Sequence, residues 1–389
     1  MTTIAPLRRV ASMSYGDALA ADEREEGAVP VMSSGGITGT HDQPNTLAPA
    51  IVVGRKGSHG SVWWSETPAF VIDTAYSIDR SNTTAHLRWL YYVLQSLGLG
   101  QLSNDVGVPG LSREAAYEAL VTVVPINEQR RIADFLDDRV ARIDQIIAAR
   151  RTQMDHVDDA LDAEWNSLGA RLVEHGPVIP LRRVLASIVD GPFGSSLTSS
   201  HYTDEGTRVI RLGNIGKAAF RDGDAAFISN QYAAELRSHS VSPGDLLMAG
   251  LGDERWPLGR CAVAPEDLGP AIVKADCYRI RLDARVRHDF AAAYISSPRS
   301  RAAILLLSRG STRARLNTDL ARGVELPLVG LEMQREYLRA LGEARSSNGQ
   351  ASRLLEGVVH RFREYKQSLI TAAVTGELDV TTAGSGIPG

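Results

Sequence analysis

A chain of 389 residues can hold two or three domains, each with a core of its own. Its 43% hydrophobic and 23% charged residues are those of an ordinary water-soluble protein, with no apolar run long enough to span a bilayer and no basic stretch leading into an apolar segment at the start, so a cytoplasmic protein is expected. The net charge of −4 is unusual for a nucleic-acid binder, but it is unevenly spread: residues 177–327 carry 20 Lys and Arg against 16 Asp and Glu, whereas residues 1–125 carry 8 against 12 and residues 126–176 carry 7 against 11. Such a chain would hold a polyanion weakly by its own field, because non-specific affinity scales with the number of phosphates neutralised.

Near the start, Pro6-Leu7-Arg8-Arg9-Val10 returns letter for letter as Pro180-Leu181-Arg182-Arg183-Val184, an offset of 174. Further on, Tyr76-Ser77-Ile78-Asp79 faces Tyr278-Arg279-Ile280-Arg281, and Val123-Val124-Pro125 faces Glu325-Leu326-Pro327, both at an offset of 202. The offset is read as growing once, with about 28 extra residues in one region of the second copy. A repeat this long marks a duplicated domain rather than a stacked array of short units. The expected order is therefore globular unit, helix, globular unit, helix, with a pseudo-two-fold relation suited to a two-part target.

The first unit, residues 1–125, offers short strands at Ala50-Ile51-Val52-Val53 and Phe70-Val71-Ile72, then a helix from Leu87 to Leu97. After the first strand comes Gly54-Arg55-Lys56-Gly57-Ser58-His59-Gly60, whose glycines allow tight backbone while Arg55, Lys56, Ser58 and His59 offer donors for phosphate or for guanine. The plainer alternative is a surface loop with glycines for turning.

From Asn127 to about Leu172 there is no proline, and apolar residues recur at steps of four and three: Leu136, Val140, Ile143, Ile147, Met154, Val157, Leu161 and Leu168, interrupted at Arg150 and Glu164. This heptad pattern predicts a long partner-seeking helix over residues 126–176, with Asn127 available as its cap. Some 45 residues would make a rod of roughly 65 Å.

The second unit, residues 177–327, repeats the strand-rich pattern at Val209-Ile210-Arg211-Leu212, Asp245-Leu246-Leu247-Met248 and Ala271-Ile272-Val273, followed by a helix from Asp289 to Leu307. Its counterpart of the first loop is Gly250-Leu251-Gly252-Asp253-Glu254-Arg255-Trp256, similar in position rather than letters. The densest donor cluster is Arg309-Gly310-Ser311-Thr312-Arg313-Ala314-Arg315, suited to clamping phosphates and reading a groove. Ser195 and Ser196, in Asp190-Gly191-Pro192-Phe193-Gly194-Ser195-Ser196, could touch a backbone but read equally well as a turn. DNA contacts are therefore expected from Arg55, Lys56, Ser58, His59, Ser195, Ser196, Arg255, Arg309, Ser311, Thr312, Arg313 and Arg315.

Residues 328–380 predict a short helix around Leu331 to Leu341, a break at Ser346-Ser347-Asn348-Gly349, and a second heptad helix with Ala351, Leu355, Val358, Phe362, Tyr365, Leu369 and Ala372 on its seam. Leu136, Val140, Ile143 and Ile147 on one seam and Leu355, Val358, Phe362, Tyr365 and Leu369 on the other are the expected pairing residues, since neither stripe can be buried alone. The alternative is two ordinary amphipathic helices, each lying on its own domain. Residues 381–389 are expected to be a disordered tail. The fold class is α/β or α+β, with two strand-rich domains and two long antiparallel helices.

No catalytic constellation stands out. There is no Pro-Pro dipeptide for an Asn/Asp-Pro-Pro-aromatic turn, no glycine-rich nucleotide loop between strand and helix, and no pair of histidines at i, i+4. Glu364-Tyr365-Lys366 has the spacing of part of a nuclease triad, but Tyr365 belongs to the heptad seam. Cys261 and Cys277 lack the partners of a zinc or redox motif and should pack as small apolar residues. No metal or cofactor is expected in this chain.

Two helix segments carry a resemblance. Tyr365-Lys366-Gln367-Ser368-Leu369-Ile370-Thr371-Ala372-Ala373-Val374-Thr375-Gly376-Glu377-Leu378-Asp379-Val380 and Val124-Pro125-Ile126-Asn127-Glu128-Gln129-Arg130-Arg131-Ile132-Ala133-Asp134-Phe135-Leu136-Asp137 resemble the C-terminal and central conserved regions of the specificity (S) subunit of type I restriction-modification systems. Asp190-Gly191-Pro192-Phe193-Gly194-Ser195 and Arg211-Leu212-Gly213-Asn214-Ile215 look like openings of that family's recognition domains. One departure is that Gln334-Arg335 lies three residues further from its proline than Gln129-Arg130 does. The resemblance implies two target recognition domains (1–125 and 177–327), each reading half of a bipartite DNA site and held apart by a helical spacer. It also implies two methyltransferase subunits docked on the helices with S-adenosylmethionine, and two restriction subunits using ATP and Mg. A different class of reading is a duplicated scaffold that binds proteins through its coiled coil.

Overall fold

The computed structural model describes residues 2–102, 110–253, 256–307 and 315–381. The chain divides into two units: residues 1–152 with 355–389, and residues 153–354. Each is therefore built from one strand-rich domain, one half of the central helix and one half of the C-terminal helix.

In the first unit a four-stranded antiparallel sheet has the spatial order Ser14–Tyr15, Ala75–Ile78, Ala50–Gly54, Val62–Ser65. Ala50–Gly54 is buried throughout, which is why it reads as an unbroken apolar run rather than an alternating one. A three-stranded sheet of Gly36–His41, Val29–Ser33 and Phe70–Val71 packs nearby, and Thr3–Pro6 pairs with Leu120–Val123 to bring the start and end of the domain together. The core joins Leu7, Ile51, Val53, Tyr76 and Ile78 to Trp89, Leu90 and Leu94 of the helix Leu87–Ser96.

The second unit repeats the four-stranded order with Leu185–Val189, Cys277–Leu282, Leu246–Ala249 and Cys261–Val263, and repeats the closing pair with Val178–Pro180 and Glu325–Pro327. Each Pro-Leu-Arg-Arg segment forms the same short 3-10 turn, Leu7–Arg9 and Leu181–Arg183, with its leucine buried. The extra length lies in two places, not one. Val53 pairs with Tyr76 and Met248 with Tyr278, so the offset is already 195 in these strands and reaches 202 only afterwards. Most of it enlarges the second sheet to five strands, Tyr202–Thr203, Phe227–Ile228, Thr207–Ile210, Ala271–Val273 and Ser240–Val241.

The predicted helix from Asp289 to Leu307 is two helices, His288–Ile295 and Pro298–Leu307. Proline disfavours helical backbone in the residue before it and is well suited to a first helical position, so Ser297-Pro298 ends one helix and opens the next. Ser296, wholly buried, donates its own hydroxyl to the carbonyl of Cys261 at 3.3 Å and accepts from the Cys261 amide at 2.9 Å. Cys261 and Cys277 are both free and buried, and burial pushes their thiols well above the ordinary range.

The central helix runs Ile126–His175 and the C-terminal helix Leu331–Thr375. Asn127 lies inside the first turn rather than capping it, and the carbonyl of Pro125 accepts from Glu128 and Gln129 at 2.8 and 3.0 Å. The predicted break at residues 346–349 is absent, and the C-terminal helix runs through it unbroken. Asn348 instead donates its side-chain amide to the carbonyl of Val157 at 2.8 Å, and tertiary packing overrides the weak helix propensity of Ser, Asn and Gly.

Candidate nucleic-acid interface

In the first unit, Ile143 and Ile147 pack with Val359, Phe362, Tyr365 and Leu369, while Leu136 and Val140 join Leu369, Ile370 and Ala373 against the domain core. The ascending numbers of one helix meet the descending numbers of the other, an antiparallel pairing. Its buried member is Val359; Val358 and Leu355 are half-buried, because the true helical period of 3.6 rotates a strict heptad count off the seam. Lys366 donates to both oxygens of Asp144 at 2.8 Å, and Glu364 pairs with His360, so the apparent nuclease triad is surface and seam chemistry. In the second unit Trp165, Leu168 and Leu172 pack with Tyr337 and Leu341, and the Trp165 indole donates to the Tyr337 hydroxyl at 2.8 Å.

A buried glutamine secures each domain to the helix that follows it. Gln129 donates to the carbonyl of Val124 and accepts from the amide of His86, both at 2.8 Å. Gln334 donates to Val329 and Arg285 at 2.8 Å and accepts from the amide of Arg287 at 2.9 Å. The three-residue departure between the copies disappears here: Gly330 occupies the place of Pro125, its carbonyl accepting from Gln334 as that of Pro125 does from Gln129.

The predicted reading loops sit at a shared frame in the two domains. The amide of Leu111 donates to Arg55 at 2.8 Å and that of Leu316 to Gly250 at 2.9 Å; the hydroxyls of Tyr76 and Tyr278 donate to the carbonyls of the same two leucines. Lys56 bridges Gly110, and Leu251 bridges Arg315. A Cβ on Gly250 would lie 2.4 Å from the Tyr278 hydroxyl, so a side chain there would need that ring to shift.

The individual side chains differ in what they have left to offer. Lys56 and Ser58 are exposed on their loop. Arg55 donates to the carbonyl of Asp73 at 3.1 Å and lies over the ring of Tyr15. His59 sets its two ring nitrogens 3.1 Å from the carbonyls of Gly57 and Gly100, fastening the loop rather than reaching outward. Arg315 bonds Asp276 through Nε at 2.9 Å and Nη2 at 2.8 Å. Ser195 and Ser196 are exposed in the turn Gly194–Ser196, where the carbonyl of Ser196 accepts from Tyr232. Arg255, Arg309, Ser311, Thr312 and Arg313 lie outside the described residues.

Three residues that were not among the predicted contacts belong to this region. Arg113, first in the helix Arg113–Glu118 capped by Ser112, also lies over Tyr15; the Ser112 cap was the available signal. Arg260, 3% exposed, donates to the carbonyls of Leu212, Ile215, Leu251, Trp256 and Pro257, tying two loops together with no ion pair to a carboxylate among the described residues. Burial depresses its proton affinity, and no sequence pattern distinguishes it. Asp190 accepts the amides of Gly191 and Asp276 through Oδ1, and burial pushes its carboxyl up to about 6. Among the described residues no group of His, Cys, Asp and Glu is arranged to hold a metal, and no helix is long and apolar enough to cross a membrane.

Two domains with one frame and different side chains on it, together with two long helices, define a duplicated protein of mixed helix and strand. Residues 8–154 match the family described as type I restriction modification DNA specificity domain. The chain is 21% identical over 354 residues to the specificity subunit of the type I restriction enzyme EcoBI of Escherichia coli, covering 84% of this chain and 73% of that protein. It shares its fold, at a TM-score of 0.65 and 13% identity, with a chain solved in a study of assembly and conformational transition of the type I R-M system, covering 97% of this chain and 98% of that one. The HsdS subunit of Thermoanaerobacter tengcongensis aligns at 16% identity over 97% of each chain, with a TM-score of 0.44. The chain is thus similar to DNA specificity subunits of the type I restriction-modification kind, the family that its helix motifs resemble.

Proposed function

We propose that this chain is the non-catalytic targeting subunit of a type I restriction-modification complex, each domain reading one half of a bipartite DNA site. The observation that carries the reading is the frame common to residues 50–111 and 246–316, on which the two domains display different donors and acceptors. One scaffold with two sets of side chains suits two different half-sites. The central and C-terminal helices would dock two methyltransferase subunits, which bring S-adenosylmethionine, and two restriction subunits would add ATP and Mg. A partner would also supply positive charge, since the chain carries 42 Lys and Arg against 46 Asp and Glu.

The test is footprinting of the chain with its cognate methyltransferase subunits on a random pool of duplex DNA. Protection of two short blocks at a fixed separation supports the reading. Assembly with the methyltransferase but no sequence selection would favour the scaffold alternative instead.

A further inference from the structure

The frame shared by the two domains carries opposite charge at one equivalent position. Tyr15 pairs with Tyr76, and the pairing of Val189 with Arg279 places Asp190 opposite Tyr278. A glycine follows in each case: a Cβ on Gly16 or on Gly191 would lie 2.1 Å from the backbone of Ile72 or Lys274, so both chains turn at the same close approach.

On this frame the first domain sets two guanidinium groups over the half-exposed ring of Tyr15, Arg113 at 4.7 Å and Arg55 at 5.1 Å from its centroid. Backbone carbonyls hold both cations: Asp73 accepts from Arg55 at 3.1 Å and Met13 from Arg113 at 3.4 Å. A carbonyl orients a guanidinium without neutralising it. The carboxylate on Arg113 is that of Glu114, 3.8 Å away and 74% exposed. The second domain sets Asp190 and Asp276 at this place, with Arg315 as the cation on Asp276.

Resting on the targeting role proposed above, we infer that Tyr15, Arg55 and Arg113 read the acceptor edge of a guanine in the first half-site, and that the second domain takes no guanine at its matching position. Guanine presents O6 and N7 side by side, the pair a guanidinium fork meets best, whereas carboxylates repel those acceptors and accept from amino groups. A ring beneath each guanidinium restricts where its fork can point, which favours bidentate contact with a flat base edge.

The experiment is selection from a random duplex pool by the chain assembled with its methyltransferase subunits. Wild type should select a split sequence with guanine in the half-site of the first domain. Arg113→Gln and, independently, Arg55→Gln should reduce that guanine preference about 5- to 150-fold and leave the other half intact. Asp276→Asn should alter only the second half. Thermal melting by circular dichroism checks that each variant is folded, and either arginine variant alone suffices for the test. A split sequence without guanine in the first half overturns the inference but leaves the targeting role standing. So does a uniform loss across all sequences with a salt slope smaller by about one, the mark of a phosphate contact. Failure of the wild-type complex to select any split sequence overturns the targeting role itself.

Discussion

Gln334 shows how much one buried polar side chain can decide. Its amide satisfies two carbonyls and one amide, from Val329, Arg285 and Arg287, where no water reaches, since the residue is wholly buried. Gln334→Leu keeps the volume but strands those groups, and the chain should lose about 2–4 kcal/mol, read as a lower urea midpoint at unchanged m value. Asp190 gives a pH dependence. Its folded pKa of about 6 lies above the ordinary carboxylate value, chiefly through burial, so the folded state binds the proton more tightly than the unfolded state does. Stability from this group is present below about pH 4 and is lost as pH rises through about 6. Asp190→Asn should flatten the stability profile between pH 4 and 6.5, and an unchanged slope in urea melts across that window would contradict it.

At the scale of elements, the helix pairing depends on residues a strict heptad count misplaces by one. Val359 is buried against Ile143 and Ile147, while Val358 is only half-buried. Val359→Asp places an unpaired charge in that seam and should cost on the order of 3 kcal/mol, with Val358→Asp costing less than half as much by urea denaturation. Should the two prove equal, the seam is wrongly assigned. Gly349 offers the opposite change: a Cβ there would meet only the Arg353 guanidinium at 3.5 Å, an ordinary contact. Gly349→Ala should therefore stabilise the C-terminal helix by roughly 0.5–1 kcal/mol, visible as a rise in Tm.

For the whole molecule, charge sets an expectation about assembly. With only residues 177–327 net positive, the isolated chain should bind duplex DNA weakly and its methyltransferase partner should tighten the complex at matched salt. Titrations by fluorescence anisotropy at two ionic strengths check this, and equal affinity with and without the partner refutes it. The duplication, the two long helices and the strands such as Ala271–Val273 were legible in the linear order because repeated letters and apolar periods survive in any one-dimensional reading. The same reading put a break at Ser346–Gly349 and one helix across Pro298, because local propensity cannot register what packs against a segment. It recognised Arg55 as a donor but not the ring of Tyr15 beneath it. The place of Arg113 beside Arg55, the five carbonyls around Arg260 and the place of Asp190 opposite Tyr278 join residues far apart in the chain. Such contacts arise only when sheets register and loops close, so the tertiary structure alone decided them.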